Sequence, residues 1–207
     1  MKDSSSLLLV LLSLILTVRC DSLQSTTTPP LIDVPTYSMA TVNEDGTTNM
    51  NILTYATPVS TRPDRVWSLG IFKGTLSEQN FVRTRTCILQ LLTEQHTSIV
   101  KTFGGSSGRD VNKEQACVEL GLSWQELLQD NEETLTCGDM KVLPGCAYYL
   151  KLTAVGDFVD AGSHLIAPYC KVEQMWVSDD EKKHEYVSTA RLRALGIITE
   201  QGRVAED

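Results

Sequence analysis

Between Thr48 and Thr75 the chain carries a high density of polar side chains inside what otherwise reads as sheet. Asn49, Asn51, Thr54, Tyr55, Thr57 and Ser60 are interleaved with apolar residues in GTTNMNILTYATPVS. Amides and hydroxyls on the inward face of a strand need hydrogen-bond partners, and a bound polar ligand is one way to supply them. Downstream, VWSLGIF opens into KGTLSEQNF, which puts Lys73 and Thr75 where a strand becomes a helix, a natural place to hold a phosphate. Taken alone, Asn49 and Asn51 read more readily as turn residues, and Lys73 as a solvated loop charge. His164 opens a later strand, where a histidine is by default a surface or half-buried residue whose charge responds near neutral pH.

Other chemistries find less support. His96, His164 and His184 have no metal-ligand spacing with Cys or Asp, and there is no Gly-x-Ser-x-Gly. GGSSGRDVNK, after a helix and without Gly-Lys-Ser/Thr, is not a P-loop and reads as a flexible loop. No Rossmann fingerprint is present, so a dinucleotide would have to bind transiently.

The elements that must position these residues are mostly strands. YSMATVN alternates, and Asn43-Glu44-Asp45-Gly46 is a tight-turn signal into the polar run. Strands are expected near 36–43, 49–57, 65–72 and 86–93, with a helix over 75–84. EQHTSIVKTF predicts a second short helix ending at Gly104-Gly105. Residues 112–131 are helical in pattern, including SWQELLQDN with Ser123 as N-cap. CAYYLKLTAVGDFVD and SHLIAPYCKVEQMWV form a strand pair across Ala161-Gly162, and STARLRALGIITEQGR a helix stopping at Gly196. Strands broken by short peripheral helices fit an antiparallel barrel.

The ordered succession of hairpin, Asn-x-Asn strand, Thr-Pro-Val-Ser, apolar strand, Lys-Gly-Thr before a helix, second apolar strand and helix ending Phe103-Gly104 resembles the flavin reductase-like family. The resemblance continues through LPGCAYYLKL and AGSHLIAPYCKV and covers roughly residues 36–177. It implies a mainly β fold, an FMN-binding split β-barrel with peripheral short helices, whose ligand site is completed by dimerisation. FMN is then the cofactor, and NADH or NADPH a transient hydride donor. Asn49 and Asn51 match the start of the family's flavin strand, and Thr54, Tyr55, Ala56 and Thr57 the stretch along the ring and ribityl chain. Lys73 and Thr75 match positions that reach the phosphate. Phe103 matches the aromatic-glycine end of the second helix, and Lys113 the lysine after its loop; apart from the resemblance these are a helix cap and a surface charge. His164 matches the histidine of the family's Gly-Asp-His, which faces the flavin and helps place nicotinamide. Here the triplet is Gly162-Ser163-His164, and the missing carboxylate bears on donor binding. The implied function is an NAD(P)H-dependent flavin oxidoreductase with a protein or small-molecule electron acceptor. The alternative is a non-catalytic flavin-binding or electron-carrier protein of the same fold.

The remaining sequence sets bounds. A chain of 207 residues with 42% hydrophobic and 21% charged residues is long enough for one core of its own. Net charge is −8, with no basic cluster that would suggest nucleic acid. LLLVLLSLILTV is too short to span a bilayer and has the length of a secretory signal, giving residues 1–20 as signal peptide and 21–35 as a Ser/Thr/Pro-rich linker before a domain over 36–200. The expected route is secretory, to the endoplasmic reticulum lumen or outside, with no membrane span after cleavage; a bipartite plastid address is the alternative. Five cysteines would remain after cleavage, an odd number unlike a disulfide framework, although Cys137 and Cys146 flank a turn and are placed to pair.

Overall fold

The computed structural model describes residues 24–127, 140–177 and 185–206. The expected signal peptide lies outside them. Residues 24–30 carry neither helix nor strand and are exposed. From Leu31 onward the chain forms a second unit, to which everything below refers.

The opening hairpin joins β1 (Tyr37–Val42) to β2 (Thr48–Leu53). Its turn is closed by Asn43 N–H on the Thr47 carbonyl (2.8 Å), with Gly46 at φ 84°. The expected strand over 49–57 is two strands. β2 stops at Leu53, and β3 (Ala56–Ser60) starts after Thr54-Tyr55. β2 pairs with β1, whereas β3 pairs with β4 (Val66–Phe72). With β5 (Thr86–Leu91), β8 (Tyr148–Ala154) and β10 (His164–Val177), the hydrogen-bonded order is β2-β1-β5-β8-β10-β4-β3. Two residues therefore carry the chain from one end of the sheet to the other. Twist curls the antiparallel sheet until its ends approach, and β2 and β3 do not pair, leaving an open, split barrel. Pro58 sits on the β3 edge, where its missing N–H costs no ladder bond.

Helix α1 (Leu76–Thr84) follows β4 and is capped by Thr75, whose Oγ1 accepts from Glu78 N–H. Glu78 in turn accepts from Gly74 N–H, so the first turn is closed from both sides. The second expected helix is a 3-10 turn over Glu94–Ile99 continuing into α2 (Val100–Gly105). His96 closes that turn: Nδ1 accepts Thr93 N–H, so Nε2 carries the proton and donates to the Pro144 carbonyl (3.0 Å).

The helix expected through 112–131 ends early. α3 spans Lys113–Glu119 and stops at Gly121 (φ 79°). Gln125–Glu126 are instead a short strand, β6, paired with β7 (Lys141–Val142). Trp124 explains the switch. Its indole is buried against Phe103, with ring centroids 6.0 Å apart at 84°. Burial of an aromatic side chain contributes more than the Ser123 cap and the helix propensity of a few residues. Residues 128–131 lie outside the described residues. The strand expected from Cys146 to Asp160 is likewise divided: β8 ends at Ala154, and β9 (Val159–Ala161) pairs back on the start of β10. α4 (Thr189–Ala194) ends at Gly196 (φ 67°).

β1 is expected to alternate but is buried on both faces, because the sheet has a core on each side. Met39, Leu89, Leu69, Ile71 and Phe81 fill one side; Ala40, Met50, Ile88, Phe103, Trp124 and Leu143 fill the other, under the helices. Cys87, Cys117, Cys146 and Cys170 are all buried free thiols, with Cys170 pushed up to about 12 by burial. Cys137 lies outside the described residues. No helix among the described residues is long and apolar enough to cross a membrane.

Candidate functional site

A cleft of about 520 Å³ opens where the two ends of the sheet approach each other. One wall is β2 and its exit (Asn49, Asn51, Ile52, Thr54); another is the β4–α1 corner, Phe72 and Gly74 to Ser77. The end of α2 and the loop Ser106–Arg109 close a third side, with Lys113 behind them.

Asn49 faces the corner and is nearly fully buried, at 4% exposure. Its Nδ2 donates to Ser77 Oγ (2.8 Å), which ties the polar strand to the first turn of α1. Gly108 lies so close that a Cβ there would stand 2.2 Å from Asn49 Oδ1. Only glycine lets the loop approach this strand, a second use of glycine besides turning. The GGSSGR segment, expected to be flexible, is held: Arg109 donates to the Gly74 carbonyl (3.0 Å), and Asp110 and Val111 N–H both return to Ser107.

Asn51 differs from Asn49. Its Oδ1 is buried and has no hydrogen-bond partner. A buried carbonyl oxygen left without a donor costs about 1–3 kcal/mol, so an unpaired one in a cleft wall points to a donor that arrives with a ligand.

Lys113 is 5% exposed, although its sequence context also allowed a surface charge. Its ammonium donates to the Met50 (3.0 Å) and Phe103 (2.9 Å) carbonyls, which leaves one N–H uncommitted. Burial lowers its pKa from 10.5 to about 8, because the cleft wall offers backbone dipoles but no carboxylate.

The sequence-derived candidates thus divide. Asn49, Asn51, Thr54, Thr75, Phe103 and Lys113 line one cleft; Tyr55, Ala56, Thr57, Lys73 and His164 do not. Thr75 has its hydroxyl committed, accepting from Glu78 N–H and donating to the Phe72 carbonyl, so it offers backbone rather than side chain. Lys73 points away to Asp160 (2.7 Å), a half-exposed ion pair that holds the Asp160 carboxyl below the usual carboxylate range. Tyr55 and His164 form a neighbouring aromatic group. The imidazole packs edge-on against Tyr55 (centroids 4.9 Å) and Phe72 (5.3 Å), and Phe72 itself lines the cleft. Ser163 Oγ lies 2.9 Å from His164 Nδ1, in the position where the family pattern has aspartate. Partial burial, and then the charge of Arg203, lower the His164 pKa.

Sequence reasoning missed Ser77, Gly108, Arg109 and Arg203. The glycines of GGSSGR permit close backbone approach, but nothing linear indicated that this loop would meet Asn49, some 60 residues earlier. Cationic groups in the cleft come from Arg109, Lys113 and Arg203 rather than Lys73.

Comparison with known proteins places the fold. The family model described as flavin reductase like domain matches residues 33–195. No curated protein sequence matches the chain. Among solved structures, flavoredoxin from Methanosarcina acetivorans is similar at a TM-score of 0.62 and 11% identity, over 81% of this chain and 86% of that one. A Thermus thermophilus FMN-binding protein superposes at 0.57 and 16% identity, over 88% and 85%. A homologue of nitrilotriacetate monooxygenase component B from Mycobacterium thermoresistibile does so at 0.58 and 16%, over 86% of each chain. At such identities the shared property is the fold. With a family match spanning most of its length and a split barrel to go with it, this chain belongs to the flavin reductase-like family.

Proposed function

We propose that this protein binds FMN in the cleft and is an NAD(P)H-dependent flavin oxidoreductase. The observation that carries the reading is the buried, unpartnered Asn51 Oδ1 in a cleft whose volume lies within the roughly 300–1,000 Å³ usual for cofactor sites. FMN, when bound, supplies a flat ring that accepts hydride from the nicotinamide. Asn51 accepts a hydrogen bond from the ligand, and Asn49 holds the β4–α1 corner in register through Ser77. Leu76 and Ser77, the first residues of α1, line the cleft, where a helix start and the positive charge of Arg109 suit a phosphate. Lys113 donates its remaining N–H from a water-poor wall, where a charge interacts more strongly than in solvent. His164, beside Phe72, orients the incoming donor rather than transferring a proton.

A homodimer belongs to the same reading. Tyr55 just before β3, Val59 on β3, Val159 on β9 and Tyr169 on β10 are exposed side chains with apolar surface, and a second copy would cover them.

The test is a visible spectrum of residues 21–207 purified with FMN, followed by NADH or NADPH under nitrogen. Yellow protein that bleaches supports the oxidoreductase; yellow protein that stays yellow supports a flavin carrier instead. A protein that neither takes up FMN nor gains thermal stability from it refutes both.

A further inference from the structure

The C-terminal residues after α4 supply part of the cleft, although they lie beyond the family match at 33–195. Residues 197–205 form a small hairpin. Thr199 N–H donates to the Arg203 carbonyl (2.7 Å), Ala205 N–H to the Ile197 carbonyl (2.9 Å), and Gly202 turns the chain at φ 77°. One arm of it packs on the β2 side. Val204 Cγ2 lies where a Cβ on Gly104 would come within 3.0 Å, and Ile52 flanks the same spot. Arg203, the neighbouring residue on the same arm, reaches the β4 side, with its guanidinium 5.7 Å from the Phe72 ring centroid and its charge felt at His164. This arm therefore lies across the cleft from the β2 side to the end of β4.

We propose that this hairpin is the wall that retains the cofactor, a strap across the split, and that Arg203 is a positioning residue between the cleft and His164. The inference rests on the cleft being the FMN site. Val204 seats the strap on the glycine pair Gly104-Gly105, which has no side chains to displace it. Arg203 carries positive charge to the His164 side, where a dinucleotide would bring phosphates and where the family's aspartate is absent. Contacts between the strap and a bound flavin exist only in the complex, so their loss acts on release more than on entry.

Stopped-flow fluorescence of FMN release and capture tests this on the full chain, on a chain lacking residues 200–207, and on full-length Val204→Asp. Release is expected to quicken about tenfold or more in both variants, while capture changes by less than about threefold and the melting temperature holds. Unchanged release overturns the strap, and so does faster capture with unchanged release, which would make the hairpin an obstruction. Arg203→Gln is expected to raise the His164 pKa read by NMR; an unmoved titration removes the positioning role. Full-length protein that fails to bind FMN overturns both this inference and the cofactor reading, whereas normal binding with unaltered release overturns the strap alone.

Discussion

Lys113→Met is the most informative single change, because the lysine's cost and its use fall in different experiments. In the folded protein its pKa is lowered from 10.5 to about 8 by burial. At about 1.4 kcal/mol for each tenfold in the proton equilibrium, keeping the ammonium charged in that wall costs about 3 kcal/mol at neutral pH. Methionine removes the cost but also removes two charge-assisted hydrogen bonds, to Met50 and Phe103, each contributing about 1.5–3 kcal/mol. The two effects oppose each other, so at pH 7 the variant should be less stable by about 0–3 kcal/mol. The pH dependence does not cancel. As pH rises above about 8 the folded lysine loses its proton while the unfolded one keeps it, so the wild type gains stability over this interval. Between about pH 7.5 and 9.5 that gain comes to about 2 kcal/mol relative to the variant. Urea unfolding of both proteins across this range measures it, and the difference between them removes the contribution of every other titrating group. An anion in the cleft favours the charged ammonium, so FMN should push the wild-type rise to higher pH and leave the variant unaffected. Parallel stability curves for the two proteins without ligand would refute the reasoning, since they would mean Lys113 is solvated.

Two further outcomes can be measured alongside it. Asn51→Leu should leave the ligand-free protein as stable or up to about 2 kcal/mol more stable, since it removes an unpaired buried oxygen, yet weaken FMN binding about tenfold or more; an unchanged Kd by fluorescence titration would show that Asn51 does not meet the ligand. His96 is buried as the neutral imidazole, with a pKa lowered by burial, so below about pH 6.5 the unfolded state takes up protons that the folded state resists. Stability should fall as pH drops through that region, less so in His96→Gln, and identical acid limbs in the two denaturation series would dissociate His96 from it.

Local chemistry made much of the fold readable. Gly46, the helix start at 75, Gly196 and the apolar runs of β4, β5 and β10 announced themselves because turn geometry, periodicity and burial each act within a few residues. Reading failed where a distant partner decided. Ser123-Trp124-Gln125-Glu126 has the signature of a helix start, yet Trp124 is drawn under Phe103 and its neighbours pair with Lys141 and Val142. The polar run through Thr54-Tyr55 has no breaker, and it divides because the sheet curls and its two ends recruit different halves.

The same boundary runs through the site. The sequence by itself determined that a polar strand, a strand-to-helix corner and a family-like order of motifs occur together, because those are properties of neighbouring residues. Only the tertiary structure decided which of them share a cleft. Curling of the sheet set Asn49, Asn51 and Lys113 around one space, turned Lys73 outward to Asp160, and left His164 beside the cleft behind Phe72. It also brought Gly108 onto Asn49, and the C-terminal hairpin onto Gly104 and Phe72. These are contacts between residues tens of positions apart, and their cost or gain depends on packing that no linear pattern encodes.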